Sequence, residues 1–541
     1  MVFTLHRYVF RELFKVFLLA SLALTLILSL GIILQPVQKY GVGPRQVVHL
    51  MGYFVPVTLT FVLPVAALFA ASLVYGRFAG DNELDAGKAS GISLLTLVYP
   101  GLALAIMVAI VSLILSFHVM PVFVHRAERS LKADAKQIVF RNIQRKGYYQ
   151  LPADDKSLTY VYADRVDARS NTLAGVVIVK TDRGIINEVI TARGAAILFN
   201  PHRRFNEVQI TAQDTYRMDA EGSYSLGLSS FTAEFGSLLG DKIKFKKLSE
   251  MKKIRDVDLM LFDPIAKLAG RVYGQLIAEL LAQDIASKTA GGDENFYRLH
   301  SGAKFVEFKA ADVSVSKKTE ARVELSGAVR VNEYDVRTGQ PLRTLRCRRA
   351  FLNVEGDELA PTLTLELDSP TWQRRGAPEQ PAWGWMRLRG LIIPGEVEAQ
   401  MSRFRTESGL QAIELGSQTA SLVEPGSDTL NYLQNSLHRR IRQTFAEIEA
   451  EMHSRLVFGV GCIPMIMIGI GLGIILKGGH LLSAFGVSCI PAAVLMVAIL
   501  AGKNITKNLG AQSISGPSLM WAGFGVLVLL AVAIYYRLQR S

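Results

Sequence analysis

The sequence predicts a polytopic α-helical membrane protein: six transmembrane helices, arranged 3 + 3 around a large inserted extracytoplasmic β domain of jelly-roll-like texture. Three observations predict it. Six uncharged, mainly apolar stretches are long enough to cross a hydrocarbon core of about 30 Å. They are Val16–Leu34, Leu50–Tyr75, Leu94–Phe117, Leu456–Leu476, Leu481–Gly502 and Ser518–Tyr536. No comparable run lies between Pro121 and Arg455. Inside that interval apolar and polar residues alternate, with Gly, Asn, Asp and Pro breaks, which is the pattern of short half-buried strands. Composition agrees, because a chain of 541 residues that is 50% hydrophobic and only 20% charged carries more apolar surface than a soluble core needs.

Each apolar stretch is expected to be a helix, since backbone polar groups in lipid must be satisfied within their own segment. The first follows Arg7, Arg11 and Lys15, as a secretory leader would. Its apolar run exceeds the usual leader core, however, and no small-x-small cleavage pattern follows, so it is read as a retained span. Lys and Arg in the short flanks set the orientation. A cytoplasmic N-terminus places Arg7, Arg11, Lys15, Arg77, Lys88, Lys477, Arg537 and Arg540 inside, against Lys39, Arg45, Lys503 and Lys507 outside. Both termini are then cytoplasmic, and residues 121–455 lie on the other side.

Domain boundaries follow from texture. Residues 1–120 hold spans one to three, and 121–239 hold a charged stalk helix (within Val122–Ile143) and a first β module. Residues 240–302 form a helical insert whose apolar residues recur at helical spacing, packed on the β module or lying at the membrane interface. A second β module covers 303–424, with Trp372, Trp383 and Trp385 in or near turns. Pro425 and Gly426 break the chain, and Ser427 or Asp428 can cap a second stalk helix over 425–455. Its stripe is Leu430, Leu433, Leu437, Ile441, Phe445, Ile448 and Met452. Residues 456–541 hold spans four to six.

Chemistry is sparse. The net charge of +13 comes without an aromatic-interleaved basic patch or a nucleic-acid motif, so no nucleic-acid partner is expected. Cys462 and Cys489 lie inside spans and Cys347 stands alone, which excludes a disulfide framework or a metal cluster of the CxxC kind. The chain has no GxxxxGK[ST], HExxH, GxSxG or SxxK; GIGLGIILKGG comes nearest to the first but lies in a span. Glu447 and Glu451 read as a solvated i,i+4 pair on the second stalk. The spans contain almost no ionisable residues, which disfavours an ion-driven mechanism. No catalytic residue and no metal site are therefore assigned.

One membrane-adjacent segment stands apart. Gly76–Ser93, GRFAGDNELDAGKASGIS, carries Asp81, Glu83 and Asp85 against the positive-inside trend, and Gly91 can end its helix. It reads as a solvated loop or as a docking helix at about 77–93. This loop, after a Pro64-containing second span and before SGIS, resembles that of the LptF/LptG (YjgP/YjgQ) permeases of the lipopolysaccharide-transport ABC exporter. The Tyr8…Arg11-Glu12 start, the AALFAASLVYGR run and the EMHSR entry into span four agree, and the resemblance covers about 1–235 and 430–541.

The resemblance implies an inner-membrane, multi-pass subunit paired with a second permease of the same type as a homo- or heterodimer. It implies a cytoplasmic ABC ATPase dimer that holds the ATP, so that the chain needs no cofactor of its own. Periplasmic bridge proteins would receive lipopolysaccharide or a related lipid along a jelly-roll path. On this chain Asp81, Glu83 and Leu84 match the coupling helix that docks on the ATPase, while Lys39 and Arg45 fall where the family places cations facing lipid phosphates. Two departures are visible: Ala86-Gly87-Lys88 replaces a bulkier helical stretch, and the external domain is oversized. Its extra part, about 240–424, looks like the bridge-protein repeat and is expected to be a second jelly-roll-like module extending the lipid path. A mechanotransmitting scaffold with no lipid passage is the alternative function, and a membrane-anchored enzyme the third.

Overall fold

The computed structural model describes residues 2–40, 44–133, 135–151, 157–167, 170–182, 185–201, 206–219, 222–235, 241–290, 295–302, 304–317, 320–357, 360–373, 378–381, 385–406, 409–410, 427–476, 481–509 and 515–540. Among the described residues six helices are long and apolar enough to span a bilayer, in the 3 + 3 arrangement. The first half consists of α1 (Val2–Tyr40), α2 (Pro44–Gly80), a short α3 (Glu83–Ala89) and α4 (Leu94–Ile114). A single π turn, Leu115–Val119, carries α4 into the stalk helices α5 (Met120–Ala133) and α6 (Ala135–Lys146).

The first β module is one antiparallel sheet whose strands follow in sequence: β1 (Tyr148–Leu151), β2 (Ser157–Asp167), β3 (Thr172–Asp182), β4 (Ile185–Pro201), β5 (Asn206–Asp219) and β6 (Gly222–Phe235). The sheet curves until the edge strands β1 and β6 approach one another, giving a half-barrel. Strand alternation slips by one residue along its length. Val161, Val176, Ile178, Ile190 and Ala192 are buried at one end, and Leu173, Ala195, Ile197, Ile210 and Ala212 at the other. Between them the Asp164–Gly175–Arg193–Asp214 row carries two positive φ values, Gly175 at 62° and Asp214 at 50°. The strands bend there, and the bend exchanges inner and outer faces. A Cβ on Gly175 would strike the Asp164 side chain, so this position needs glycine twice over. The module rests on Leu50 and Phe54 of α2 and on Ile138, Phe140 and Ile143 of α6.

A bracket follows: a 3₁₀ turn at Ile243–Phe245, then α7 (Leu248–Asp256). It leads into α8 (Asp263–Thr289), buried on every side by Ile265, Ala269, Val272, Leu276, Ile277, Leu280, Leu281 and Ile285. The second β module wraps around it. Its sheet is built on the long pair β10 (Arg322–Asp335) and β11 (Pro341–Asp357), preceded by β7 (Tyr297–Ser301), β8 (Lys304–Lys309) and β9 (Asp312–Val315). β12 (Ala360–Asp368), β13 (Thr371–Gln373), β14 (Gln380–Pro381) and β15 (Trp385–Leu391) complete it, and β15 curls back towards β7 through Ile392 N–H to His300 O at 2.7 Å. The interior expected to be an open jelly roll is filled by α8: a two-faced sheet of this curvature must bury its apolar side, and the chain supplies its own helix to do so. Trp372 sits in β13 and Trp385 in β15; Trp383 lies outside the described residues.

After α9 (Gly395–Met401) and a small hairpin, β16 (Arg405–Thr406) with β17 (Gly409–Leu410), the second half begins with α10 (Asp428–Leu476). This helix is unbroken from the second module into the membrane. Ser427 Oγ caps it by accepting from Leu430 N–H at 3.1 Å, and the expected stripe from Leu430 to Met452 packs on the core around α8. α11 (Leu481–Leu509) and α12 (Ser515–Arg540) follow. α2 and α10 form the centre of the bundle, with 72% and 67% of their apolar windows buried against 33% or less for the other four spans. Their backbones touch because glycines allow it. A Cβ on Gly473 would come within 2.6 Å of Ser72 O, and one on Gly469 within 3.0 Å of Leu68 O. The GIGLGIIL run is therefore a packing surface between the two halves.

The helix-filled second module yields a direct expectation. Leu276→Ala, at a fully buried site on α8, should cost about 2–5 kcal/mol. The thermal unfolding midpoint of the detergent-solubilised chain should fall clearly, whereas exposed Leu342→Ala should leave it unchanged.

Candidate functional site: a membrane-end platform and a junction on the β side

At the bundle end away from the β modules, α2 stops at Gly80, and a turn over Asp81 and Asn82 starts α3. Asn82 adopts a left-handed conformation (φ 59°), tolerated best by Gly, Asn and Asp. Glu83 and Asp85 sit in the first turn and Lys88 in the last, each on the side that the helix dipole favours. Gly91 (φ 84°) closes the helix, with its N–H on Lys88 O at 2.9 Å, and Ser93 Oγ caps α4 by accepting from Thr96 N–H at 3.3 Å.

The structure separates the three residues expected to dock. Asp81 and Glu83 are exposed, Asp81 in the turn and Glu83 at the head of a helix shorter than 77–93. Leu84 is 5% exposed and packs in the bundle core with Tyr75, Phe78, Leu94 and Leu97. Its part is to anchor the helix that presents Glu83. The platform beneath is tied across three helices. Tyr8 stacks on Phe78 at 5.8 Å, Glu12 accepts from Lys15 at 2.8 Å and Arg77 at 3.4 Å, and Tyr75 Oη donates to Leu97 O at 3.0 Å. Lys39 and Arg45 lie in the terminal turns of α1 and α2; their side chains are outside the described residues.

On the β side of the membrane a second constellation appears that sequence reasoning missed. Glu451, read as solvated, is 8% exposed and accepts from Arg455 Nε at 3.0 Å and Lys503 Nζ at 2.8 Å. Arg455, 4% exposed, donates through Nη2 to Lys244 O at 2.9 Å and lies over the Phe117 ring of the π turn at 5.7 Å. Its Nη1 has no hydrogen-bond partner among the described residues. Burial pushes the Lys244 ammonium below the usual lysine range, reinforced by Lys242 and Lys503 and opposed by Glu451. Glu447, also read as solvated, is half-buried, with Arg440 at 3.5 Å and Lys507 at 3.9 Å. The signal available in the sequence was the i,i+4 spacing of Glu451 and Arg455; the 52-residue separation from Lys503 hid the third partner.

The bracket between the two β modules joins both halves of the bundle at this level. Lys244 meets Arg455 of the second half, while Phe245 packs with Val57, Met120 and Val124 of the first. His125 Nε2–H lies 3.4 Å from Glu250, which also accepts from Lys247 N–H at 2.7 Å. No group of three or more His, Cys, Asp or Glu side chains that could hold a metal occurs among the described residues.

Six spans, a platform at one end and two β modules at the other define a multi-pass membrane protein. The chain belongs to the LptF/LptG family, lipopolysaccharide export system permeases, whose family model matches residues 7–269 and 319–537. No individual curated protein matches it. The match runs into the second β module, beyond the extent of the resemblance seen in the sequence. The internal stretch outside the match, 270–318, contains most of α8 and all of β7, β8 and β9.

Hydrogen bonds from His125, above all, hold the Glu250 carboxyl down to about 2 from an ordinary 4.5. A carboxyl lowered by folding stabilises the folded chain above its ordinary value and loses that contribution as pH falls through the folded one. The bracket should therefore loosen between about pH 4.5 and 2. Glu250→Gln should flatten this limb of the unfolding midpoint measured against pH.

Proposed function

We propose that this permease draws lipopolysaccharide or a similar glycolipid out of the inner membrane and passes it along the first β module on the periplasmic side. A second LptF/LptG-type permease pairs with it, and a cytoplasmic ABC ATPase dimer docks at Asp81 and Glu83. Periplasmic bridge proteins take the lipid onward. ATP is held by the ATPase, and the chain itself changes no bond. Both termini are cytoplasmic in this reading.

One observation carries the proposal: an acidic, exposed helix head whose Leu84 is sunk into the bundle core. A partner that moves Glu83 must move the core with it. The bare apolar faces of α1, α4, α11 and α12, with 33% or less of their windows buried, suit lipid contact and a paired permease. Lys244, exposed on the bracket beside Arg455, adds a cation to those of the Lys39 and Arg45 region for lipid phosphates. The scaffold reading gains support for one part of the chain. The second module is packed shut around α8 and so suits a mechanical role better than a conduit.

Glu83→Lys should abolish co-purification of the ATPase and lipid release while leaving the unfolding midpoint of the chain unchanged, because Glu83 is exposed. Retention of both would defeat the docking assignment.

A further inference from the structure

The outer face of the second module carries a charge pattern that the transport reading does not use. Val329, Val331 and Leu345 point into the core and Cys347 lies against it, so their neighbours point out. The register places Lys309, Arg330 and Arg346 directly opposite one another across β8, β10 and β11. Arg348 stands two residues beyond Arg346 on the same strand face. Like charges directly opposite destabilise a sheet. Elsewhere this sheet pairs its arginines: Arg322 and Arg387 with Glu366, Arg343 with Glu333, Arg349 with Asp368. Arg330, Arg346 and Arg348 have no ion-pair partner among the described residues.

The same place is dented. The β10–β11 register shifts between Ser326 and Val329, leaving Gly327 and Ala328 as a bulge opposite Arg348. Gly327 has φ 88°, and a Cβ there would lie 2.6 Å from the Ala311 Cβ, so the bulge depends on glycine. The resulting depression, about 970 Å³, is bounded by Gly327, Ala328, Arg346, Arg348, Asp368 and Thr371. Asp368, the acid at its rim, is already engaged by Arg349 at 3.4 Å and by the Ser369 hydroxyl at 3.1 Å. Cys347 is no nucleophile here, since burial pushes its thiol up to about 11.

We infer that this bulge depression is a binding site for phosphoryl groups, gripped by Arg346 and Arg348 with Arg330 alongside. Guanidinium forks match phosphate oxygens two at a time. The hollow, about 970 Å³, has the size of a headgroup. The site stands apart from the cargo reading, because it can be probed with pyrophosphate alone.

The test uses the full chain in nanodiscs and compares it with R346Q/R348Q. The titrants are pyrophosphate, vesicles bearing a bisphosphorylated glycolipid, the same vesicles with the dephosphorylated lipid, and an oligoglutamate peptide. Pyrophosphate should bind, and the double substitution should weaken it about tenfold or more per arginine. The unfolding midpoint should not fall, because both side chains are exposed and the substitution relieves the repulsion between Arg346 and Arg330. If the phosphorylated vesicles also bind and lose binding in the variant, the source is a lipid headgroup; if only pyrophosphate does, it is a soluble phosphate. Equal pyrophosphate affinity in the two proteins overturns the inference. Binding of oligoglutamate without pyrophosphate overturns it too, in favour of an acidic protein surface.

Discussion

The buried carboxylate of Glu279 holds the mechanical design together. It sits on α8, 3% exposed, and takes hydrogen bonds from the N–H and hydroxyl of Ser427 and from Gln275 Nε2. Gln275 in turn accepts from Ala321 N–H at 2.7 Å, so helix core, sheet and stalk meet at one point. A carboxylate deep in a module is costly unless charge or dipoles meet it. Here the positive end of a 49-residue helix does so. Because α10 runs about 74 Å without a break, the same helix whose N-terminus is pinned inside the second module also forms span four. Module and span then behave as one body.

The first half is joined to that body at two levels. Within the membrane, α2 and α10 touch backbone to backbone through Gly469 and Gly473. On the β side, the bracket around Lys244 and Phe245 touches both halves, with Arg455 and Glu451 locking one and Val57, Met120 and Val124 the other. Breaking a buried ion pair by removing one partner costs about 3–5 kcal/mol. The Glu451–Arg455 pair lies within α10, and it fixes the guanidinium that holds Lys244 O of the bracket. The platform at α3 lies at the opposite end of α2, so a single helix connects the platform with the bracket.

Periodicity made much of this legible. The spans, the Leu430–Met452 stripe and the Gly91 stop are local patterns, and the structure places each where the sequence put it; of the two cap candidates, Ser427 and Asp428, Ser427 caps the helix. What the sequence hid was non-local. Glu279 and Ser427 are 148 residues apart, and Glu451 lies 52 residues from Lys503, so neither pairing leaves a spacing to read. Alternation along the strands of the first module did not reveal the bend at Gly175 and Asp214. The second module misled for a different reason. Its strands alternate as those of an open jelly roll would, and only the apolar surface on every side of α8 signals that a helix fills the sheet.

The central claim is that the second module and span four move as one body. Spin labels at Val336 in the module and Leu456 at the start of span four, both exposed, in a chain freed of Cys347, Cys462 and Cys489, test it in the complete transporter. The distance distribution should be the same before and during ATP turnover, and it should broaden in Glu279→Ala. A shift of the intact chain's distribution on ATP addition would contradict the claim.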